Sequence, residues 1–569
     1  VDTVIRGGTV IDGTGAPGRR ADVGIDQGRV VAVGDVTADG AAVVDADGLV
    51  VAPGFIDVHV HYDAQVLWDP ALTPSVFHGV TTALGGNCGF TLGQAGPEHA
   101  EYLVRLLARV EGIPLETLEA GVDWCWRDTT GYLDQIEGQI GPNVGFLAGH
   151  STIRRAVMGD RCVGGTASEA DLTAMEALLA DSIRAGALGF SSSNAATHND
   201  GAGDPVPSRF ANEVELFRLC RVVGDHPGTT IEYIPAKAAD EMARMAAMSL
   251  AARRPLNWNI LQVGSARASD FNADLAASDH AAALGAVVRA LTLPGRSEQR
   301  LNLRTGFIFD ALPGWDAIFK MALPERMAAL ADPQVRERLQ RGADLAGPRR
   351  AELRNWGGHV ISETFDPSLR GVAGRTVAQV ATERGVKEFD ALLEVALADE
   401  LRTVFLPPVL GLDEESWQMR ARAWRDPRVL LGASDAGAHM DMLATFAYTT
   451  MLLSEGVRER QLLPLEEAVR LLTDWPARHF GLRDRGRLTE GCHADVVIFD
   501  PSRAGPGRVV TRRDLPGGAS RLYSEADGIE QVMVNGRLVV KDHVLTGDLP
   551  GSLLKSGRDT VTVLPPAFR

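Results

Sequence analysis

Lysine is scarce in this chain of 569 residues: only Lys237, Lys320, Lys387, Lys541 and Lys555 stand among its 57 basic residues. Cysteine is equally sparse. Cys88, Cys125, Cys162, Cys220 and Cys492 are odd in number and widely spread, which excludes a disulfide framework and fits a reducing cytoplasm. No stretch approaches the ~20 consecutive apolar residues a membrane helix needs, so no membrane partner is expected. Positive charge does not dominate either. The net charge of -17 argues against a general nucleic-acid binder, whose footprint is basic. There is no internal repeat and no low-complexity run. No G-x-S-x-G element occurs, which disfavours a serine hydrolase. The first residues, Val1-Asp2-Thr3-Val4-Ile5, read as a strand and not as a charged and apolar leader; with no initiator Met, trimming stays open.

What is present is ordinary globular material, 45% apolar and 23% charged. The length predicts one large domain with one or two satellites. Within it, Gly54-Phe55-Ile56-Asp57-Val58-His59-Val60-His61-Tyr62-Asp63 stands out as a strand opened by Pro53-Gly54. Alternation puts Asp57, His59 and His61 on one face. Two imidazoles two residues apart can meet at one divalent cation, and neutral imidazole suits zinc. The same pair could equally be hydrogen-bonded core residues. The carboxyl end of a parallel strand is where sites are built, and it is the rest of the chain that raises the metal reading.

Residues 1–48 read as short strands separated by glycine turns. Gly13-Thr14-Gly15-Ala16-Pro17-Gly18 matches G-x-G-x-x-G, but no helix pattern follows, so it is read as a turn. From 79 onward strands and helices alternate. Strands are predicted near 79–84, 143–150, 188–191, 229–234, 256–260, 402–406 and 429–435, with the His strand making about eight. Helices are predicted over 98–110, 168–185 (opened by Ser168-x-x-Asp171), 212–223 and 240–253. This alternation predicts an α/β fold, a (β/α)8 TIM-like barrel. Residues 265–400 resist ordering and are read as an insertion. The tail from Gly481 returns to short strands, expected to pair with the N-terminal ones in one satellite. The expected division is therefore 1–50 and 481–569 for a small β domain and 51–480 for the barrel.

Gly54–His61 resembles the opening metal motif of the amidohydrolase superfamily. Gly486-Arg487-Leu488-Thr489-Glu490-Gly491-Cys492-His493-Ala494-Asp495 resembles its closing β segment, and Val534-Asn535-Gly536-Arg537 its last hairpin. Gly86-Asn87-Cys88-Gly89, Gly149-His150-Ser151-Thr152-Ile153-Arg154 and Gly189-Phe190-Ser191-Ser192 are similar to the N-acyl-D-amino-acid deacylase (D-aminoacylase) branch. The resemblance implies a metal-dependent barrel with a split β-sandwich. It also implies His59 and His61 as metal ligands, Cys88 as a further or bridging ligand, and Asp435 as ligand and proton shuttle. It implies histidines on the fifth and sixth strands, yet these read Thr230-Ile231-Glu232-Tyr233 and Trp258-Asn259-Ile260. Nor does a lysine, which many relatives use in modified form, end the fourth strand. One Zn2+ ion is therefore expected, with a second left open.

Cys88 read from composition is a small buried hydrophobe, and Asp435 read locally is a helix cap; the resemblance turns both toward the metal. Glu232, a carboxylate in an apolar strand, needs a partner, either a cation at the centre or an arginine. His439 and Asp441 are candidates to tune Asp435 from behind. His150, His198, Arg209 and Tyr233 are candidate substrate contacts, Arg209 as the cation for a substrate carboxylate, and His78, His226, His280 and His543 are read as surface or packing residues. The expected reaction is hydrolysis of a C–N amide bond in an N-acyl-D-amino acid or related small molecule, with metal-activated hydroxide and Asp435 moving the proton. A cyclic amide or lactone hydrolase and a non-catalytic barrel acting as a scaffold are the alternatives. A homo-oligomer is left open.

Overall fold

The computed structural model describes residues 1–569 apart from 237, 239, 296–298, 307, 310–311, 348–350 and 410. Two runs of parallel strands carry its centre. In the first, β1 (Phe55–Asp57), β2 (Val80–Gly85) and β3 (Asn143–Phe146, resuming at Ala148–Gly149) pair side by side. In the second, the end of β3 pairs with β4 (Gly189–Ser193), followed by β5 (Thr230–Ile234), β6 (Leu256–Trp258), β7 (Val288–Thr292) and β8 (Val429–Leu431). The first and last strands meet just past their ends. His61 N–H donates to Ala436 O at 2.7 Å and Asp435 N–H to His59 O at 3.1 Å, with Val60 bridging Ala436 in parallel. Since every pairing is parallel, all eight carboxyl ends lie on the same side.

The intervening helices form where the sequence places caps and apolar periodicity. Helix Glu169–Ala185 starts at a full Ser168/Asp171 capping box and stops at Gly186. It buries Leu172, Met175, Leu179 and Ile183 against the outer faces of the strands, beside Leu216, Leu219 and Val223 of helix Glu213–Gly224. Each such side chain contributes about 1.5–3 kcal/mol on full burial, which outweighs anything intrinsic to the helices.

The strand Val404–Leu406, counted from the sequence among the eight, is a correction. It pairs antiparallel with Val360–Glu363, and the seventh parallel strand is Val288–Thr292, inside the stretch that resisted ordering. Both are short apolar runs, and a run of that length does not encode its partner. The excursion from the parallel sheet accordingly begins after Thr292. Its helices Leu323–Ala331, Pro333–Leu345, Val377–Arg384 and Glu388–Ala398 close over their own core around Trp315, Trp356 and Phe389. The Trp315 and Trp356 rings stack with centroids 5.7 Å apart.

The chain ends join in one nine-stranded sheet. Val50–Pro53, leading into β1, pairs antiparallel with Val496–Phe499, so strands from residues 3–53 and 496–545 are hydrogen-bonded neighbours. Its buried residues include Val23, Val51, Val496 and Ile498. The glycine-rich 13–18 segment is the connection between the strands Thr3–Val10 and Arg19–Asp26, as its sequence context predicts.

Candidate metal centre

Regular strand geometry in β1 stops at Asp57 and the chain bends at His59. The bonds to Ala436 on one side and from Val60 N–H to Leu84 O (3.2 Å) on the other hold His59 and His61 inward, both buried. Cys88 comes to them on a tight turn after β2. Asn87 fixes that turn by donating from Nδ2 to Leu84 O (2.9 Å) and Val60 O (3.1 Å), and Gly86 and Cys88 both adopt left-handed backbone (φ 76° and 59°). The Ser191 hydroxyl on the inward face of β4 accepts from Gly89 N–H at 3.0 Å and braces the turn. Asp435, also left-handed at φ 51°, follows β8. Left-handed conformations in non-glycine residues are uncommon, and strain of this kind collects where a site needs it.

The resulting separations discriminate among chemistries. Cys88 Sγ lies 3.5 Å from His59 Nε2 and 3.8 Å from His61 Nε2, and the three donors form one mutual cluster within 4.8 Å. Asp435 Oδ1 stands 3.2 Å from His59 Nε2 and 3.8 Å from His61 Nε2. Tetrahedral zinc with Zn–N near 2.05 Å, Zn–S near 2.3 Å and Zn–O near 2.0 Å needs N···S separations of about 3.5 Å and N···O separations of about 3.3 Å. The donor set fits a zinc-sized cation. Asp435 remains outside the mutual three-donor cluster, and its side chain is 25% exposed where the histidines are 0 and 4%. It is the member of the group most open to solvent.

Charge makes the same point. Asp57, Asp63, Glu111 and Glu232 are all buried around the cluster. Burial pushes the carboxyls of Asp57, Asp63 and Glu232 each up to about 7 and that of Glu111 well above its ordinary range. It also drives the Cys88 thiol up, with Glu232 and Glu111 adding to the effect. Burial would raise Asp435 too, but the hydrogen bond and charge of His59 hold it at about 2. His61 is driven down to about 3 by burial and then by His59. A buried pocket so rich in acceptors, with His59 Nδ1, Glu232 Oε1 and Glu111 Oε1 lacking hydrogen-bond partners among the described residues, is the environment a divalent cation neutralises.

Glu232, a ligand candidate from sequence, takes another place. Its Oε2 accepts from Cys88 N–H at 3.0 Å, and its Oε1 lies 3.9 Å from His59 Nδ1, while the opposite ring nitrogen of His59 faces Cys88. The carboxylate therefore stands behind the imidazole, away from the donor cluster. Two residues escaped the sequence reading as site members. Asn259, just beyond β6, brings Nδ2 to 3.4 Å from His59 Nε2 and 3.5 Å from Asp435 Oδ1. Its position at a strand's carboxyl end was the available signal. Glu111, at the end of helix Ala100–Val110, brings Oε1 to 3.4 Å from His61 Nδ1. Nothing local marks it.

Two proposed substrate contacts are corrected. Tyr233 follows Glu232 on β5 and therefore points to the opposite face. It packs among the outer helices with Arg244 and Glu241. His150 spends both ring nitrogens, on Ser192 Oγ and Glu215 Oε1 at 2.8 Å each, and Glu215 also pairs with Arg154. His78 is buried packing, bonded to Thr450 Oγ1 (2.7 Å) and Ser524 O (3.0 Å). His198 does approach the centre. Its Nδ1 meets Ser193 Oγ at 2.7 Å, its ring lies 5.3 Å from Phe90, and Asp435 and His439 are close enough to influence its charge. Arg209 clasps this loop through His198 O (3.2 Å) and Asn199 Oδ1 (3.1 Å). Asp441 accepts from Asn302 Nδ2 (2.8 Å) and Thr305 Oγ1 (2.6 Å), tying the excursion after β7 to the loop that carries Asp435 and His439.

The chain resembles known proteins over almost its whole length. The N-acyl-D-aspartate deacylase of Alcaligenes xylosoxydans xylosoxydans is 28% identical over 98% of this chain and 95% of its own. Among solved structures, the N-acyl-D-glutamate deacylase of Bordetella bronchiseptica, in complex with zinc and a phosphonate inhibitor, aligns with a TM-score of 0.64 at 25% identity, covering 98% of this chain and all of the other. A D-aminoacylase described with a binuclear metal centre aligns with a TM-score of 0.63 at 27% identity over 97% and 99%. The model of the amidohydrolase family matches residues 42–540. With that match spanning most of its length and the expected metal donors assembled, the chain belongs to the amidohydrolase family.

Proposed function

We propose that this protein is a metal-dependent hydrolase of the C–N amide bond in an N-acyl-D-amino acid or a related N-acyl amide. The observation that carries the reading is the convergence of His59, His61 and Cys88 with the partly exposed Asp435 carboxylate beside them. Zinc is the proposed ion. A single ion is proposed because the fifth and sixth strands offer Glu232 and Asn259, both turned to the His59 side of the centre. When bound, such an ion acidifies water toward neutral pH and polarises a carbonyl oxygen.

The residues then divide the work. His59, His61 and Cys88 hold the cation. Asp435 takes a proton at its carboxylate from the water that attacks the carbonyl, keeps it through the tetrahedral stage, and gives it to the nitrogen as the C–N bond breaks, releasing a carboxylate and an amine. The Asn259 amide orients Asp435 by donating to Oδ1. His198 and Arg209, on the loop over the site, are the proposed contacts for the substrate's carboxylate. The two parallel runs are read as a (β/α)8 barrel and the nine-stranded sheet as the small β-sandwich. The expected division at 50/51 falls inside the strand Val50–Pro53, so the boundary is moved to Gly54, and the insertion is moved to follow Thr292. A cytoplasmic location is proposed, and no helix among the described residues is long and apolar enough to cross a membrane.

The test pairs metal analysis of the purified protein with turnover of acylated D- and L-amino acids, cyclic amides and lactones. The reading expects near one zinc per chain and preference for an N-acyl-D-amino acid. Preference for a ring-opening substrate refutes the substrate class, and absence of both metal and turnover refutes the enzyme.

A further inference from the structure

We infer that Glu111 is a positioning residue of the metal centre: its carboxylate receives the Nδ1–H of His61 and thereby fixes the Nε2 lone pair on the cation. The inference rests on the metal-centre reading above and concerns a residue that no sequence motif marks. Its first support is tautomer logic. A histidine that turns Nε2 toward a metal must carry its proton on Nδ1, and that proton requires an acceptor in a buried site. His61 presents Nε2 to Cys88 and Asp435, so Nδ1 is its proton-bearing side. Glu111 Oε1 lies there, 3.4 Å away. Its second support is a vacancy in bonding: Glu111 is 3% exposed and its Oε1 has no hydrogen-bond partner among the described residues. The unpartnered Glu111 oxygen thus faces the ring nitrogen of His61 that the metal-centre reading requires to carry the proton.

Glu232 stands in the corresponding place behind His59, but it is already anchored through Oε2 to Cys88 N–H. The backbone of Glu111 is used as well. Its carbonyl accepts the N–H of His439, on the loop that carries Asp435. The next residue, Gly112, is left-handed at φ 59°, and a Cβ there would approach His439 Nδ1 to 3.2 Å. The end of helix Ala100–Val110 thus presses against both the first-strand ligand and the last-strand loop. A ligand role for Glu111 itself is disfavoured, since it lies across the imidazole ring from the donor cluster.

The experiment measures zinc affinity by competition with a chromophoric chelator, and the visible spectrum of the cobalt-substituted protein. It compares wild type, Cys88→Ala, Glu111→Gln, Glu111→Asp and Glu111→Leu. Loss of a metal-ligand histidine's partner typically costs ten- to a hundredfold in affinity, and that loss is expected for Glu111→Leu and for Glu111→Asp, whose carboxylate is one methylene too short. Glu111→Gln keeps an acceptor oxygen in place and is expected within about threefold of wild type, with an unchanged cobalt spectrum. Should Glu111→Leu fail to fold, the Gln/Asp pair decides. Wild-type affinity in Glu111→Asp, or a loss in Glu111→Gln as large as in Glu111→Asp, overturns the role. Wild type that binds no zinc overturns the metal-centre reading and this inference together. A wild type that binds zinc, loses it with Cys88→Ala and ignores every change at Glu111 overturns the inference alone.

Discussion

Replacing Asp435 by asparagine separates proton transfer from metal retention. The substitution keeps the side chain's size and one acceptor oxygen, but removes the charge and the proton-accepting capacity. The structure lets the two effects be weighed. In the proposed centre metal retention rests chiefly on the three-donor cluster of His59, His61 and Cys88, from whose mutual set Asp435 is excluded, although Oδ1 reaches His59 Nε2 at 3.2 Å. Zinc content at micromolar free metal is therefore expected to stay near that of wild type. Turnover should behave differently. A positioned general acid–base contributes roughly 10²–10⁴ in rate, equivalent to about 3–5.5 kcal/mol of barrier. The expected outcome for Asp435→Asn is a fall in kcat of that size with KM changed less than fivefold. Steady-state kinetics on the preferred N-acyl amino acid, with zinc counted in the same samples, makes the comparison. Activity within tenfold of wild type refutes the shuttle. Activity that falls only in proportion to lost zinc refutes it too, and makes Asp435 a ligand first.

Other expectations are independent of that residue. A strong chelator should abolish hydrolysis and added zinc restore it, whereas activity that survives with metal below a tenth of an equivalent contradicts the whole scheme. Glu215→Ala should cost about 3–5 kcal/mol, because it strands Arg154 in a buried site and leaves His150 without its Nε2 partner. A denaturant midpoint unchanged from wild type would contradict it. Burial holds the folded-state pKa of His78 down to about 4, against 6.5 when unfolded. The unfolded chain then binds the extra proton between those values, so this contribution is complete above pH 6.5 and is lost as pH falls toward 4, at most on the order of 3 kcal/mol. His78→Gln should flatten the stability profile in that window, and an acid limb of unaltered slope refutes the assignment. Ser168→Ala should lower stability by about 1 kcal/mol through the lost capping box, with activity untouched.

Local chemistry was enough to find much of this molecule. His59 and His61 sit two apart in an apolar run, so strand alternation predicts one shared side, and both are buried beside Cys88 although the regular strand ends at Asp57. Ser168, Asp171 and Gly186 marked both ends of a helix through bonds that span four residues. The recurrence of strand and helix pointed to parallel architecture, and the family resemblance drew Cys88 and Asp435 to the same point. Other features lay beyond reach because they depend on distant partners. Val288–Thr292 and Val404–Leu406 are equally short and apolar, and only their neighbours decide which joins the parallel sheet. Tyr233, a candidate substrate contact from sequence, follows Glu232 by one step along the strand, which turns it to the opposite face among the helices. His150 looked like a site residue until Ser192 and Glu215 claimed both its nitrogens. Glu111 and Asn259 carry no motif, and become part of the centre only when a helix end and a strand end are folded onto His61 and His59. Sequence by itself determined what is periodic or capped, since those interactions act within a few residues. Tertiary structure decided pairing, the direction of each carboxylate and the identity of the supporting acids, since burial and contact across hundreds of residues set their energies.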